Sequence, residues 1–147
     1  MNEKARDLQM DSTHFVNATG LHHPGHYTTL KDLSVLLRYA LHNREFRQAF
    51  TSRTYATAPT RAHPQGILLE NTMFSQLTTP YVGEGQILGG KTGYTSEAGL
   101  CLASLAESGE EEYLLLTAAA QGSHKTEPYH IQDAQRVFEK LFVRKGS

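Results

Sequence analysis

Hydrophobic and polar positions change period once along this chain, and the change separates a helical first half from a sheet-like second half. Met1, Ala5 and Leu8 recur at helical spacing, with no capping residue ahead of Met1, as in a helix cut at its start. Thr29-Leu30-Lys31-Asp32 resembles a capping box with Asp in place of Glu. It opens a helix on which Leu30, Leu33, Leu37, Ala40 and Leu41 form one apolar stripe, and Asn43 is expected to end it. Arg44 to Phe50, with Phe46 and Phe50 four apart, predicts a second short helix packed on the first. Thr51 to Thr57 is β-prone, and Pro59 and Pro64 mark a loop after it.

From Ile87 onward the pattern becomes that of strands. Ile87 to Thr95, Leu100 to Ala106 and Tyr113 to Ala120 predict three strands in an antiparallel meander, with Glu107-Ser108-Gly109-Glu110 as the second connection. The third is apolar on both faces, which suits a strand covered on both sides and paired with neighbours. Ile131, Ala134, Val137, Phe138, Leu141 and Phe142 then mark an amphipathic helix from about Pro128 to Val143, lying across the sheet, with Arg144 and Lys145 favourable beyond its end. The fold class predicted is α+β: a three-stranded antiparallel sheet, a C-terminal helix packed on it and a helical N-terminal half.

Composition narrows the function more than the fold. The chain has 147 residues, enough for one domain, with 14 basic and 15 acidic residues dispersed along it and a net charge of −1. No footprint for nucleic acid is visible, so nucleic acid is not an expected partner. The single Cys101 rules out an internal disulfide, and its apolar neighbours predict a buried thiol. Eight histidines raise the question of a metal, above all at His22-His23-Pro24-Gly25-His26. Pro24 and Gly25 make that stretch a turn, and no Cys or second His pair stands at ligand spacing, so loop histidines are expected and no metal or cofactor.

The chemistry concentrates in Gly89-Gly90-Lys91-Thr92-Gly93-Tyr94-Thr95. Counted from Gly85, the letters satisfy G-x-x-x-x-G-K-[ST], a nucleotide-binding phosphate loop. That loop needs a buried strand before it and a helix immediately after. Upstream, Thr78 to Glu84 is loop-like, and downstream Gly93, Thr95 and Gly99 stand where a helix should propagate, so this remains a remote alternative. The second possibility is a Lys-Thr-Gly strand beside an acyl-transfer site. On a strand, Lys91 and Gly93 share one face while Thr92 and Tyr94 take the other, and Gly93 leaves room for a substrate backbone along the edge.

The flanks decide in favour of the second. Gly89 to Ser104 closely resembles the segment of the serine D-alanyl-D-alanine carboxypeptidases, the low-molecular-mass penicillin-binding proteins, that holds their Lys-Thr-Gly box. Met1 to Met10 and Thr13-His14-Phe15-Val16-Asn17-Ala18-Thr19-Gly20-Leu21 resemble that family's stretch just beyond its second motif. His26-Tyr27-Thr28-Thr29-Leu30-Lys31-Asp32-Leu33 is similar to a further family pattern. Asn71-Thr72 sits where the family has an asparagine-containing turn ahead of the strand.

The resemblance implies a partial β-lactamase/transpeptidase-like fold in which residues 1–147 form the C-terminal portion of the domain. No serine here is followed by Lys three residues on or by Asn two residues on, so neither the Ser-x-x-Lys nor the Ser-x-Asn segment is present and the chain offers no nucleophile. By family, Lys91 would be catalytic, keeping the site electropositive and assisting proton movement. Thr92 would bind the carboxylate of the substrate's terminal D-alanine. Gly93, Thr95 and the Tyr94 N–H would complete the substrate contacts, the N–H as one oxyanion-hole donor, a kind of group that contributes about 3–4 kcal/mol.

The implied partners are a peptidoglycan stem peptide ending in D-Ala-D-Ala, β-lactams if the domain were complete, and the missing N-terminal segment of the same domain. The implied location is the cell envelope, periplasmic or extracytoplasmic, although the chain shows no signal peptide. Two function classes stay open: part of a carboxypeptidase that trims stem peptides through an acyl-enzyme, inactive as this chain alone, or a non-catalytic relic or muropeptide-binding module. A truncated sheet would also leave the strand at Tyr113–Ala120 with an open apolar edge, which predicts self-association.

Overall fold

The computed structural model describes residues 1–143, so the expectation for Arg144 and Lys145 lies outside the described residues. Four helices and six strands follow in the order α1 (Asn2–Asp7), α2 (Leu30–Leu41), α3 (Arg44–Thr51), β1 (Thr54–Ala56), β2 (Leu68–Glu70), β3 (Tyr81–Val82), β4 (Gly85–Thr95), β5 (Gly99–Ser108), β6 (Glu111–Ala120) and α4 (Tyr129–Leu141).

The principal sheet has the order β3-β4-β5-β6, every neighbouring pair antiparallel. It is four-stranded, not three-stranded as the pattern predicts. The extra strand comes from the stretch expected to be loop, where Tyr81 and Val82 pair with Gln86 and Gly85. Two residues following a proline are too few to show a period. A separate two-stranded ribbon joins β1 to β2. The meander itself is present and longer than predicted, because β5 and β6 run on to a turn at Gly109 and Glu110, where Gly109 takes a φ of +63°.

Helices cover both faces of this sheet. On one, Ile131, Ala134 and Phe138 of α4, with Phe142 just beyond it, pack against Ile87, Leu102 and Ala106, and Met73 and Val82 close the cluster. On the other, Leu37 of α2 and Phe50 of α3 pack on Leu105, flanked by Leu88, Ala103, Leu114 and Leu116. β6 is thus covered by α2 on one face and α4 on the other, as its two-sided apolar sequence requires. A bulge between Ile87 and Gly89 hands the strand from one cluster to the other: Ile87 joins the α4 side and Leu88 the opposite side.

Local chemistry accounts for the helix ends. Thr29 caps α2 by accepting from the Asp32 N–H at 3.1 Å, but Asp32 does not return the bond. Its buried carboxylate accepts instead from the Ser12 N–H at 3.0 Å and the Thr13 hydroxyl at 2.7 Å, so half of the capping box fastens the N-terminal loop to α2. Asn43 follows the last turn of α2 and caps α3, its Oδ1 accepting from the Phe46 N–H at 2.8 Å. Phe46 and Phe50 stack at 5.7 Å. Cys101 is half-buried rather than buried, because the residue opposite it is Gly93, which has no side chain to cover it.

Candidate active site

Lys91 lies inside the eleven-residue strand β4, and no helix follows it. That excludes the phosphate loop, whose geometry depends on a helix N-terminus at this point. Two glycines ahead of Lys91 let the strand pass close to its surroundings. A Cβ on Gly89 would meet the Phe50 carbonyl oxygen and approach the Thr51 Cα to 2.7 Å; one on Gly90 would meet the Met73 sulfur and come within 2.8 Å of the Ala103 oxygen.

Asn71 fixes the same stretch from the side. Its Nδ2 donates to the Gly90 carbonyl at 3.1 Å and to the Ser52 carbonyl at 3.3 Å, while its Oδ1 accepts from the Met73 N–H at 3.0 Å. One side chain ties the end of α3, the turn at residues 71–73 and β4 together.

The alternation predicted for the strand is present. Lys91 stands opposite Ala103 on the α2/α3 face, and Thr92 stands opposite Leu102 on the α4 face. The outer edge is open where the chemistry sits, because β3 pairs only with Gly85 and Gln86. The Gly90 carbonyl accepts from Asn71 and the Thr92 carbonyl from Lys91 Nζ, both away from β5. In an antiparallel strand a residue's N–H and C=O point to the same side, so the even-numbered residues here, Tyr94 included, turn their backbone groups to that open edge.

Lys91, Thr92, Gly93 and Tyr94 line a cavity of about 340 Å³. Thr95 does not. Its hydroxyl accepts from the Ala98 N–H at 3.0 Å and shapes the turn into β5. In that turn the exposed Glu97 carboxyl is held below its ordinary range, first by the Ser96 hydroxyl.

The far wall comes from residues that the sequence pattern did not single out for the site. Thr72, in the asparagine turn, has its hydroxyl 2.7 Å from that of Thr92. His124 sets its ring edge-on to Tyr94 at 4.7 Å. His130, in the first turn of α4, lines the cavity while 4% exposed, and its Nδ1 is buried without a partner. Burial pushes its imidazole below the usual value, and Asp133 partly opposes this. The density of polar residues in Gly122 to Thr126 is the one sequence signal that marks this wall, since His130 itself reads as the start of an apolar stripe.

Of the histidines of the 22–26 loop, His23 and His26 serve the loop itself, and His22 faces Glu97 in the turn after β4, its Nδ1 3.9 Å from Oε2. His23 Nδ1 accepts from the Gly25 N–H at 3.0 Å and His26 Nδ1 from the Val16 N–H at 3.2 Å. Among the described residues, no group of three or more His, Cys, Asp or Glu could hold a metal ion, and no helix is long and apolar enough to cross a membrane.

An antiparallel sheet between helices, with a Lys-Thr-Gly strand at its open edge, defines the class of the penicillin-binding, transpeptidase-like domains. A D-alanyl-D-alanine carboxypeptidase from Mycobacterium tuberculosis superposes with a TM-score of 0.72 at 24% identity, covering 98% of this chain and 52% of that one. A penicillin-binding protein from Listeria monocytogenes in its cefotaxime-bound form gives 0.67 at 25% identity, covering 95% of this chain and 53% of that one.

The family is given by sequence. The profile of the D-alanyl-D-alanine carboxypeptidases matches residues 1–121, and the chain belongs to that family. The D-alanyl-D-alanine carboxypeptidase DacF of Bacillus subtilis is 35% identical over 109 residues, 74% of this chain and 26% of the relative. DacD of Salmonella typhimurium is 30% identical over 125 residues, 84% of this chain and 29% of the relative. The chain therefore spans less than a third of these curated relatives and about half of the solved ones.

Proposed function

We propose that this chain is the C-terminal part of a serine-type D-Ala-D-Ala carboxypeptidase that removes the terminal D-alanine of peptidoglycan stem peptides through an acyl-enzyme, outside the cytoplasm. The observation that carries the reading is the open edge of β4, where Lys91, Thr92, Gly93 and the outward-facing Tyr94 backbone meet one polar cavity. An extended peptide adds to such an edge through main-chain bonds. Thr92 then meets its terminal carboxylate, Lys91 assists proton movement, and the Tyr94 N–H stabilises the oxyanion of the tetrahedral intermediate.

The nucleophile and its base lie outside these 147 residues in this reading, because acylation needs an activated serine and no Ser-x-x-Lys occurs here. The isolated chain accordingly binds stem peptide without cleaving it. The test is an NMR titration with diacetyl-L-lysyl-D-alanyl-D-alanine and with its all-L isomer, alongside mass spectrometry after exposure to penicillin. Shifts in the amides of residues 91–94 with the D,D peptide alone, no D-alanine release and no penicilloyl adduct are expected. Amides that do not move at millimolar peptide would sink the binding claim, and an adduct on any serine would sink the assignment of the nucleophile.

A second reading, a muropeptide-binding module without catalysis, is favoured by the same lack of a serine–lysine pair. The encoding DNA upstream of the Met1 codon separates the two: in-frame Ser-x-x-Lys and Ser-x-Asn motifs support the enzyme, and a stop codon with a ribosome-binding site supports the module.

A further inference from the structure

The binding mode proposed above has a direction. Thr92 takes the terminal carboxylate and the Tyr94 N–H takes the carbonyl of the residue before it, so the peptide, followed from its C-terminus, runs along β4 from Thr92 toward Thr95. Each residue of an added strand advances about 3.3 Å. The residue ahead of the D-Ala pair therefore lies past Tyr94, where β4 ends at Thr95 and the turn Ser96-Glu97-Ala98 begins. This ground is outside the cavity, whose lining on β4 stops at Tyr94.

The turn presents one charge. Glu97 is exposed, and the Thr95 hydroxyl, by accepting from the Ala98 N–H at 3.0 Å, fixes the turn that carries it. The Ser96 hydroxyl leads the effects that hold the Glu97 carboxyl below its ordinary range, so the group stands there as an anion. Facing it is the tip of the loop at residues 17–22. Asn17 closes that tip, its Oδ1 accepting from the Gly20 N–H at 2.8 Å and its Nδ2 donating to the Leu21 carbonyl at 2.9 Å. His22 Nδ1 then stands 3.9 Å from Glu97 Oε2, beyond hydrogen-bond reach. Among the described residues no Lys or Arg pairs with Glu97, so no fixed cation of the chain occupies its carboxylate.

We propose that Glu97 selects peptides whose residue ahead of the D-Ala pair carries a free side-chain ammonium, as an unmodified diamino acid does. This rests on the stem-peptide reading above and assigns a specificity residue beyond the Lys-Thr-Gly strand and its cavity. A long aliphatic stem lies along the surface and carries its charged head away from the peptide backbone. The ammonium is a point charge with three rotatable donors, which meets a carboxylate from many angles and needs no rigid pocket. An exposed pair of this kind is weak and salt-sensitive, so Glu97 sorts peptides while the β4 edge holds them.

The test is an NMR titration with two peptides, Nα-acetyl-L-lysyl-D-alanyl-D-alanine, whose ammonium is free, and the diacetyl form, in which it is an amide. Both are titrated into the chain and into Glu97→Gln, Glu97→Lys and His22→Ala. The unmodified chain should bind the free ammonium about threefold more tightly at low salt, the scale of an exposed ion pair. About 0.5 M salt should bring the ratio to one. Glu97→Gln should equalise the two peptides by weakening the first alone, Glu97→Lys should favour the diacetyl form, and His22→Ala should keep the original preference. A residue that merely shaped the turn would weaken both peptides together. Equal binding of the two by the unmodified chain at low salt overturns this proposal and leaves the stem-peptide reading standing. So does a preference that survives Glu97→Gln, whether or not His22→Ala removes it. Binding of neither peptide overturns the stem-peptide reading and this proposal with it.

Discussion

At the scale of single residues, three glycines of β4, Gly89, Gly90 and Gly93, do different work although they lie within five positions of one another. Gly89 and Gly90 are packing glycines, facing backbone or a buried sulfur where a methyl group would stand. Gly93 is not, since a Cβ there would meet only the Cys101 Cβ, at an ordinary 3.9 Å. Gly89→Ala should therefore cost about 1–3 kcal/mol, the range for overpacking. Gly93→Ala should leave stability within about 0.5 kcal/mol, as for a surface change, yet abolish D,D-peptide binding, because the methyl group projects beside the edge where the peptide lies. Urea denaturation with the same NMR titration checks both; a Gly93→Ala chain that still binds would remove the edge from the binding mode. The residues legible in the sequence are those whose meaning is local: Lys91, Thr92 and Tyr94 alternate on one strand, and the resemblance of their flanks to the carboxypeptidase segment, not their spacing, singles them out. Thr95 carried the same signal and serves a turn. Thr72 and His130 reach the cavity from elements 20 and 38 positions away from Thr92, and no period within either element reports that.

At the scale of elements, the long ones were legible, as were the short α1 and β1, while β2 and β3 were not. α2, α3, α4 and the three long strands each repeat an apolar position often enough to declare a period, and their observed ends lie within about 2–4 residues of prediction, as expected for boundaries. β3 has two residues and pairs only because the turn at Gly83, with its φ of +57°, folds it back on β4. The first turn of α4 has its own pH dependence. His130 is held below the usual imidazole value by burial, with Asp133 opposing. Between that depressed value and about 6.5, the unfolded chain holds a proton at this position that the folded chain does not. Stability from the buried neutral ring is thus present above about pH 6.5 and is lost as pH falls through the window. Urea midpoints for the parent chain should drop between pH 7.5 and pH 5 by more than those for His130→Gln. The subtraction matters because both proteins carry the same seven other histidines. Parallel slopes would mean that His130 titrates in the folded chain as it does in the unfolded one.

At the scale of the whole molecule, the sheet is closed over its faces and open at its edges. α2 and α4 cover β6 from both sides, but among the described residues no strand pairs with its outer edge. Glu111 and Glu112 are exposed and charge one end of that edge; from Tyr113 to Ala120 it carries no charge. Beside it, an apolar groove of about 520 Å³ runs between α2, α3 and the sheet from Leu33 to Leu116 and reaches Lys91. A long uncharged edge next to an apolar groove is a template for association. The purified chain should self-associate in a concentration-dependent way, visible by sedimentation velocity. The variant that tests this has to leave the core intact. Leu115 packs against the α4 cluster, so Leu115→Lys would report core damage as well as edge charge. Ala118 is exposed, in the irregular stretch where β6 leaves its register with β5, and Ala118→Lys adds a charge without removing a buried group. Ala118→Lys should shift the chain toward monomer while its urea midpoint at low concentration stays put. Unchanged association in Ala118→Lys, together with dissociation by a charge placed in the groove at the partly exposed Phe46, would move the contact from the edge to the groove. A parent chain that stays monomeric at millimolar concentration and unfolds in one cooperative step would show that neither surface acts as a template.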